Sequence, residues 1–229
     1  MSRPVSRSPL ALLLALVVAV ATAVTILGVP VVVLTAPAFT RLAEARLVPA
    51  RETGLPRTEQ LGAAEAVRRF IAEENAPPLP ATLRGRPAFD RSAVSHLLDV
   101  RRVIVGARDL TIVAAAVLVL AALLGFALRR RRALGIGLVA GAVSLVMLVA
   151  GSAIYASADF DAFFAAFHGL FFKAGTWEFP MGALLIQLFP ERFWVLAGTS
   201  WGLFALALAV AAAVLGGWLW RGKRWAQEG

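Results

Sequence analysis

Leu110-Thr111-Ile112-Val113-Ala114-Ala115-Ala116-Val117-Leu118-Val119-Leu120-Ala121-Ala122-Leu123-Leu124-Gly125-Phe126-Ala127-Leu128 runs straight into Arg129-Arg130-Arg131-Arg132. A second apolar run then opens at Ala133 and lasts to about Ile154. Each run has the roughly 20 apolar residues that a bilayer crossing needs, and neither holds an Asp, Glu, Lys, Arg or His in its middle. Backbone polar groups in hydrocarbon must bond within their own segment, so both runs read as helices. Four arginines leave room only for a tight turn, which makes the two helices antiparallel neighbours.

Two further stretches complete the set: Pro9 to about Thr35, and about Trp194 to Trp220. The reading is an all-α membrane protein, one integral membrane domain over residues 1–229, with spans at about 9–35, 110–128, 133–154 and 194–220. The composition agrees. The 229 residues are 59% apolar and 16% charged, against roughly 25% charged in a soluble domain. That content excludes intrinsic disorder. Cys is absent, which excludes disulfides, thiol nucleophiles and zinc–cysteine sites. The only two histidines, His96 and His168, are too far apart for a zinc-protease helix motif.

Arginine placement gives the orientation. Arg3 and Arg7 precede the first span, Arg129 to Arg132 join the second and third, and Arg221, Lys223 and Arg224 follow the fourth. With both termini cytoplasmic all of these lie inside, as topology rules expect. Every Asp and Glu but Glu228 then lies outside. The net charge of +9 follows this topology, so no nucleic-acid partner is expected. The start of the chain also resembles a secretory signal, with Ala36-Pro37-Ala38 as a possible cleavage site. A signal core is only about 7–15 residues, so an uncleaved anchor is the expectation, with Pro30 kinking its outer end. Gly137-x-x-x-Gly141 in the third span reads as close helix packing. Trp194, Trp218, Trp220 and Tyr155 read as interfacial anchors.

Two outer segments remain, about 36–109 and 155–193, and they are expected to form a helical cap on the outer surface. In the first, Leu61, Ala64, Val67, Phe70 and Ile71 recur at near-helical spacing over about 58–74. A proline-rich loop follows, and Asp90 is a candidate N-cap for a helix that continues unbroken into the second span. On it, His96 and Asp99 share a face, so Asp99 can orient the imidazole and favour its charged form. From spacing alone an ordinary solvated polar face is the commoner reading.

The second outer segment opens a helix at Asp159 and Asp161, where negative charge is favoured. Phe160, Phe163, Phe164, Phe167 and Phe171 form an aromatic stripe along it, suited to packing or to acyl chains. Asp161 and His168 are two turns apart on one face. The run from Leu185 to Pro190-Glu191 is expected to be an interfacial or re-entrant piece before the last span. Both histidines thus lie outside, each near an acid, which suits a general acid–base pair.

Ser95-His96-Leu97-Leu98-Asp99-Val100-Arg101 resembles a signature of the bacterial lipoprotein intramolecular transacylase family. A second signature is matched by Phe160-Asp161 through Phe167-His168-x-x-Phe171-Phe172, then Trp177, then Leu185-Ile186 to Phe189-Pro190-Glu191-x-Phe193-Trp194. The resemblance implies an enzyme of the outer leaflet of the bacterial cytoplasmic membrane. It implies transfer of the sn-2 acyl chain of a diacylated lipoprotein to the α-amine of that lipoprotein's N-terminal Cys, giving the lyso form. It further implies His96 and His168 as catalytic residues, in either order of base and acid. Asp99, Asp161, Glu191 and Arg102 would support them, and Phe164, Phe167, Phe171 and Trp177 would line an acyl groove. The expected partners are diacylglyceryl lipoproteins and membrane lipid, with no metal and no cofactor. The chain departs from the family at Ala93 and Ala183, where the pattern carries acidic residues. The alternatives are a non-enzymatic membrane scaffold or assembly factor, or another membrane hydrolase or acyltransferase.

Overall fold

The computed structural model describes residues 8–221. The arginine pattern at Arg3, Arg7, Lys223 and Arg224, and the acid at Glu228, lie outside the described residues. The element order is α1 (Pro9–Leu34), α2 (Pro37–Leu47), α3 (Ala50–Thr53), α4 (Arg57–Ala72), a small antiparallel hairpin β1 (Thr82–Leu83) and β2 (Arg86–Pro87), α5 (Arg91–Ala127), α6 (Arg131–Ala158), α7 (Phe160–Gly169), α8 (Leu184–Leu188) and α9 (Glu191–Arg221). Helices α1, α5, α6 and α9 are long and apolar enough to cross a membrane. The chain divides into two compact units.

The first unit takes residues up to 30, 109–153 and from 203 onward. Its core is thin: Leu14, Val18, Ala121, Ala133, Leu134 and Leu219 form one cluster, and Ile26, Ala142, Leu145, Ala205 and Ala209 another. Most other apolar side chains face out; Leu16, Leu120, Leu203 and Val214 are all more than 60% exposed. In water that surface would be a large liability, and in lipid it is the solvated face. Small residues bring the helices together. A methyl group on Gly137 would lie 2.6 Å from the Ala15 carbonyl oxygen, and one on Gly141 would collide with that of Ala19, so α6 meets α1 backbone to backbone. Gly135 does the same toward Gly216 of α9. The α5–α6 turn closes on the Arg130 N–H donating to the Gly125 carbonyl at 2.7 Å, with Arg129 at φ 54° in the left-handed position usually given to glycine.

The second unit comprises residues 31–108 and 154–202 and holds both histidines. Helix α5 begins where a cap permits: Asp90 Oδ1 accepts the Ala93 N–H at 2.7 Å. Val67 of α4, Ala93 and Leu97 of α5 and Leu185 of α8 form one cluster, edged by Phe70, Phe89, Phe179 and Phe189. Ala63, Ala64 and Leu188 form a second. Arg101 anchors α5 to the end of α4, donating to the carbonyl of Phe70 in its last turn (2.8 Å) and to that of Glu74 just beyond it (2.7 Å).

Two features of this unit go beyond the sequence reading. Helix α2 lies in the part of the first outer segment before residue 58, to which the sequence reading assigns no helix, with Pro37 in its first turn. It buries Glu44 completely against Gln60 of α4, whose Nε2 donates to Glu44 Oε2 at 2.9 Å. The hairpin turns through Arg84 and Gly85, both at positive φ. The stretch expected to be an interfacial or re-entrant piece holds the short helix α8, after which Pro190 precedes the start of α9.

Candidate active site

His96 sits in the first turns of α5, well before the apolar run that begins at Leu110. His168 sits in the last turn of α7, a helix started by Asp159, whose side chain accepts the Ala162 N–H at 2.9 Å. The two rings meet: their centroids are 6.4 Å apart and the planes 25° from parallel. Each residue is only 8% exposed.

Aromatic rings enclose the pair. Phe172 lies 4.9 Å and Phe179 5.5 Å from His96. Phe164 lies 3.9 Å and Trp177 4.7 Å from His168. Phe172 touches both histidines, standing 5.6 Å from His168. Burial pushes both imidazoles below their ordinary pKa. For His96 the neighbouring His168 pushes the same way and Asp99 pulls back; for His168 the carbonyl of Phe164 pulls back. Both rings are therefore neutral near neutral pH, the state in which an imidazole accepts a proton.

One hydrogen bond fixes the chemistry of His168. Its Nδ1 lies 2.8 Å from the Phe164 carbonyl oxygen. A carbonyl only accepts, so Nδ1 carries the hydrogen and Nε2 carries the lone pair. His96 has no such partner, and its buried Nδ1 is unpaired.

The acids sit differently from the spacing argument. Asp99 accepts from Arg102 Nη1 at 2.6 Å and makes no hydrogen bond to His96. It acts on that ring through its charge alone. Asp161 is exposed, and the Phe164 carbonyl holds the Nδ1 of His168 in its place. Glu191 is exposed in the first turn of α9. Its neighbour Arg192 pairs with Glu52.

Of the expected groove residues, Phe164 and Trp177 pack on His168, and Phe167 stands 5.6 Å from it. Phe171 packs on Phe167 instead, at 5.3 Å. Phe172, part of the second signature but given no role there, and Phe179, which the sequence reading did not single out, both pack on His96. Phe172 follows His168 by one helical turn, a signal that was available; Phe179 carried none. Ala93 lies in the apolar cluster of α4, α5 and α8, and Ala183 caps α8. Among the described residues no three His, Asp or Glu side chains converge as a metal-binding group. The site thus offers one lone pair on a fixed nitrogen, a second neutral imidazole and an apolar surround. That set suits proton transfer beside an acyl chain.

Comparison with known proteins agrees in fold and family. The chain resembles the membrane integral lipoprotein intramolecular transacylase Lit from Bacillus cereus, seen in meso, with a TM-score of 0.75 at 18% identity over 94% of this chain and 98% of that one. A form of the same protein with one histidine replaced by arginine aligns at a TM-score of 0.74 and 17% identity, over 95% of each chain. A form with alanine there aligns at 0.74 and 16%, over 94% of this chain and 96% of that one. No curated protein matches the sequence. The model of the lipoprotein intramolecular transacylase family matches residues 11–194, most of the chain including both histidines, and the protein belongs to that family.

Proposed function

We propose that the chain moves the sn-2 acyl chain of a diacylglyceryl lipoprotein onto the α-amine of the same lipoprotein's N-terminal Cys, with His168 as general base. Family membership supports the reaction class. The observation that carries the assignment is the Nδ1 hydrogen bond of His168, which leaves Nε2 free to accept a proton. The amine, deprotonated from its ammonium form, attacks the ester carbonyl. A C–N bond forms, His168 Nε2 takes the second proton, and the C–O bond to the glyceryl oxygen breaks. The imidazolium returns that proton to the departing oxygen, so the site ends as it began and one proton reaches solvent. His96 is neutral and supports the departing oxygen by hydrogen bonding. Donor and acceptor belong to one molecule, so holding them in contact supplies much of the rate. An ester becomes an amide, which is downhill and needs no nucleotide.

The same reading places both termini in the cytoplasm and the histidine pair on the outer side. The arginines at the α5–α6 turn support it. Asp99 and Arg102 act as a pair that sets the charge near His96. Glu191 is open to contact the lipoprotein's peptide.

The test is mass spectrometry of one abundant lipoprotein's N-terminal lipopeptide. The host is a bacterium that makes only diacylglyceryl lipoproteins. Wild-type chain moves an acyl group to the amine at constant total mass, and His168→Ala does not. An unchanged lipopeptide, with the wild-type protein inserted and abundant, refutes the enzyme reading and leaves a scaffold.

A further inference from the structure

Six buried side-chain polar atoms of the described residues have no hydrogen-bond partner: Thr22 Oγ1, Thr25 Oγ1, Glu44 Oε1, Gln60 Oε1, His96 Nδ1 and Trp177 Nε1. Their chemistry differs. A threonine hydroxyl can rotate, the Glu and Gln oxygens accept, and an imidazole nitrogen can take either role. The indole nitrogen only donates. A buried donor with no acceptor costs about 1–3 kcal/mol, and native proteins seldom keep one without a use.

Trp177 keeps that cost in a telling place. Its ring lies 4.7 Å from His168 and 6.1 Å from Phe164. Its ring neighbours are His168, whose Nε2 is free, and Phe164, so a polar group that fits between Trp177 and His168 would meet both the indole N–H and that nitrogen. A phenylalanine would fill an apolar groove without the penalty. A ligand that reaches His168 can bring the missing acceptor. A migrating ester brings one, its carbonyl oxygen, and that oxygen becomes an oxyanion once the amine has added.

We propose that Trp177 is a catalytic residue whose Nε1–H donates to the carbonyl oxygen of the migrating acyl group and holds it as it becomes the oxyanion. The assignment rests on the transacylase reading and adds to it. His168 handles the proton, His96 supports the departing glyceryl oxygen, and Trp177 meets the charge that builds on the third reacting atom. The N–H neither gains nor loses its proton in the cycle. A preorganised donor in a site that excludes water is worth far more than one in water.

The test compares purified wild type with Trp177→Phe, which keeps a ring and removes the donor, in lipid nanodiscs with a diacylglyceryl lipopeptide. A second variant carries benzothienylalanine at position 177, which keeps the bicyclic shape and replaces N–H by sulfur. Both variants are expected to lose about 100-fold in kcat with KM little changed, the usual effect of deleting one such donor. Affinity for a phosphonate analogue of the sn-2 ester, which carries the tetrahedral charge, falls with the rate. Affinity for an ether-linked analogue with no carbonyl stays the same. Full activity in the sulfur variant overturns the assignment. So does an equal loss of affinity for both analogues, which would mean that the ring, and not the N–H, is what matters. If wild type itself moves no acyl chain, the transacylase reading has failed; if wild type is active and the variants match it, only the role of Trp177 has.

Discussion

Glu44 offers the most quantitative test of the fold around the site. It is fully buried between α2 and α4, and Gln60 Nε2 donates to its Oε2 at 2.9 Å. Its other oxygen and the Gln60 carbonyl oxygen are both buried and unpaired. An ionised Glu44 leaves two acceptors with no donor, whereas one proton on the carboxyl provides a donor. Burial raises the pKa from 4.5 to about 7, against the opposing pulls of the Gln60 hydrogen bond and the Arg57 charge. A raised pKa contributes stability that is complete below the unfolded value and is lost as pH rises through the folded one. Tenfold in proton affinity is ~1.4 kcal/mol, so raising the pH from about 5.5 to 8 removes at most ~2 kcal/mol through this group. Residual solvent screening brings the expected loss to ~1–2 kcal/mol. For a chain of this size that is a fall in thermal midpoint of about 2–8 °C. Glu44→Gln removes the titration and supplies the missing donor. Thermal unfolding in detergent across pH is the assay. The readout is the difference between the two proteins, in which the histidine titrations common to both cancel: between pH 5.5 and pH 8 wild type should fall by about 2–8 °C relative to Glu44→Gln. Parallel curves for the two proteins would refute the reasoning.

Two further predictions follow from other parts of the molecule. In the Glu44→Gln background the histidines should dominate acid sensitivity with the opposite sign. Their depressed pKa values mean that stability is full above 6.5 and is lost as pH falls below it, because protonation puts charge among Phe164, Phe172, Phe179 and Trp177; replacing both histidines with Phe should flatten the melting curve there, and an unaltered acid slope would contradict the assignment. In the membrane helices, Gly137→Ala should cost ~1–3 kcal/mol by overpacking against the Ala15 backbone, whereas Gly151→Ala on the same helix meets nothing within 4 Å; equal melting of the two variants would disprove backbone contact at Gly137.

The long apolar runs were legible because lipid imposes one rule on every residue in them. Local signals were legible too. Asp90 and Asp159 cap the helices that their positions indicated, and α4 starts and ends within two residues of its apolar period. Helix α2 was not legible, since Glu44 and Gln60 look like surface residues until they meet. Helical spacing placed Asp99 beside His96 and Asp161 beside His168, but spacing cannot rank competitors. Arg102, three residues on, takes the Asp99 carboxylate, and a backbone carbonyl one turn back takes the Nδ1 of His168. The meeting of His96 with His168 depends on how α5 and α7 pack, which no local period encodes. Trp177 read as a groove wall, because an unpaired N–H exists only in three dimensions.

The partner of His168 is a piece of main chain, and that shapes how the site can age. In the familiar arrangement an imidazole leans on a carboxylate side chain, which a single codon change deletes. Here every residue that could stand at position 164 offers the same oxygen. Genetic drift can erode the ring of Phe164 and leave the tautomer of His168 intact. Only a change that unwinds α7 can reach it, such as a proline at 166 or 167. Substitutions that silence the enzyme while preserving its fold should therefore cluster on the histidines and their ring neighbours, with no orienting acid among them.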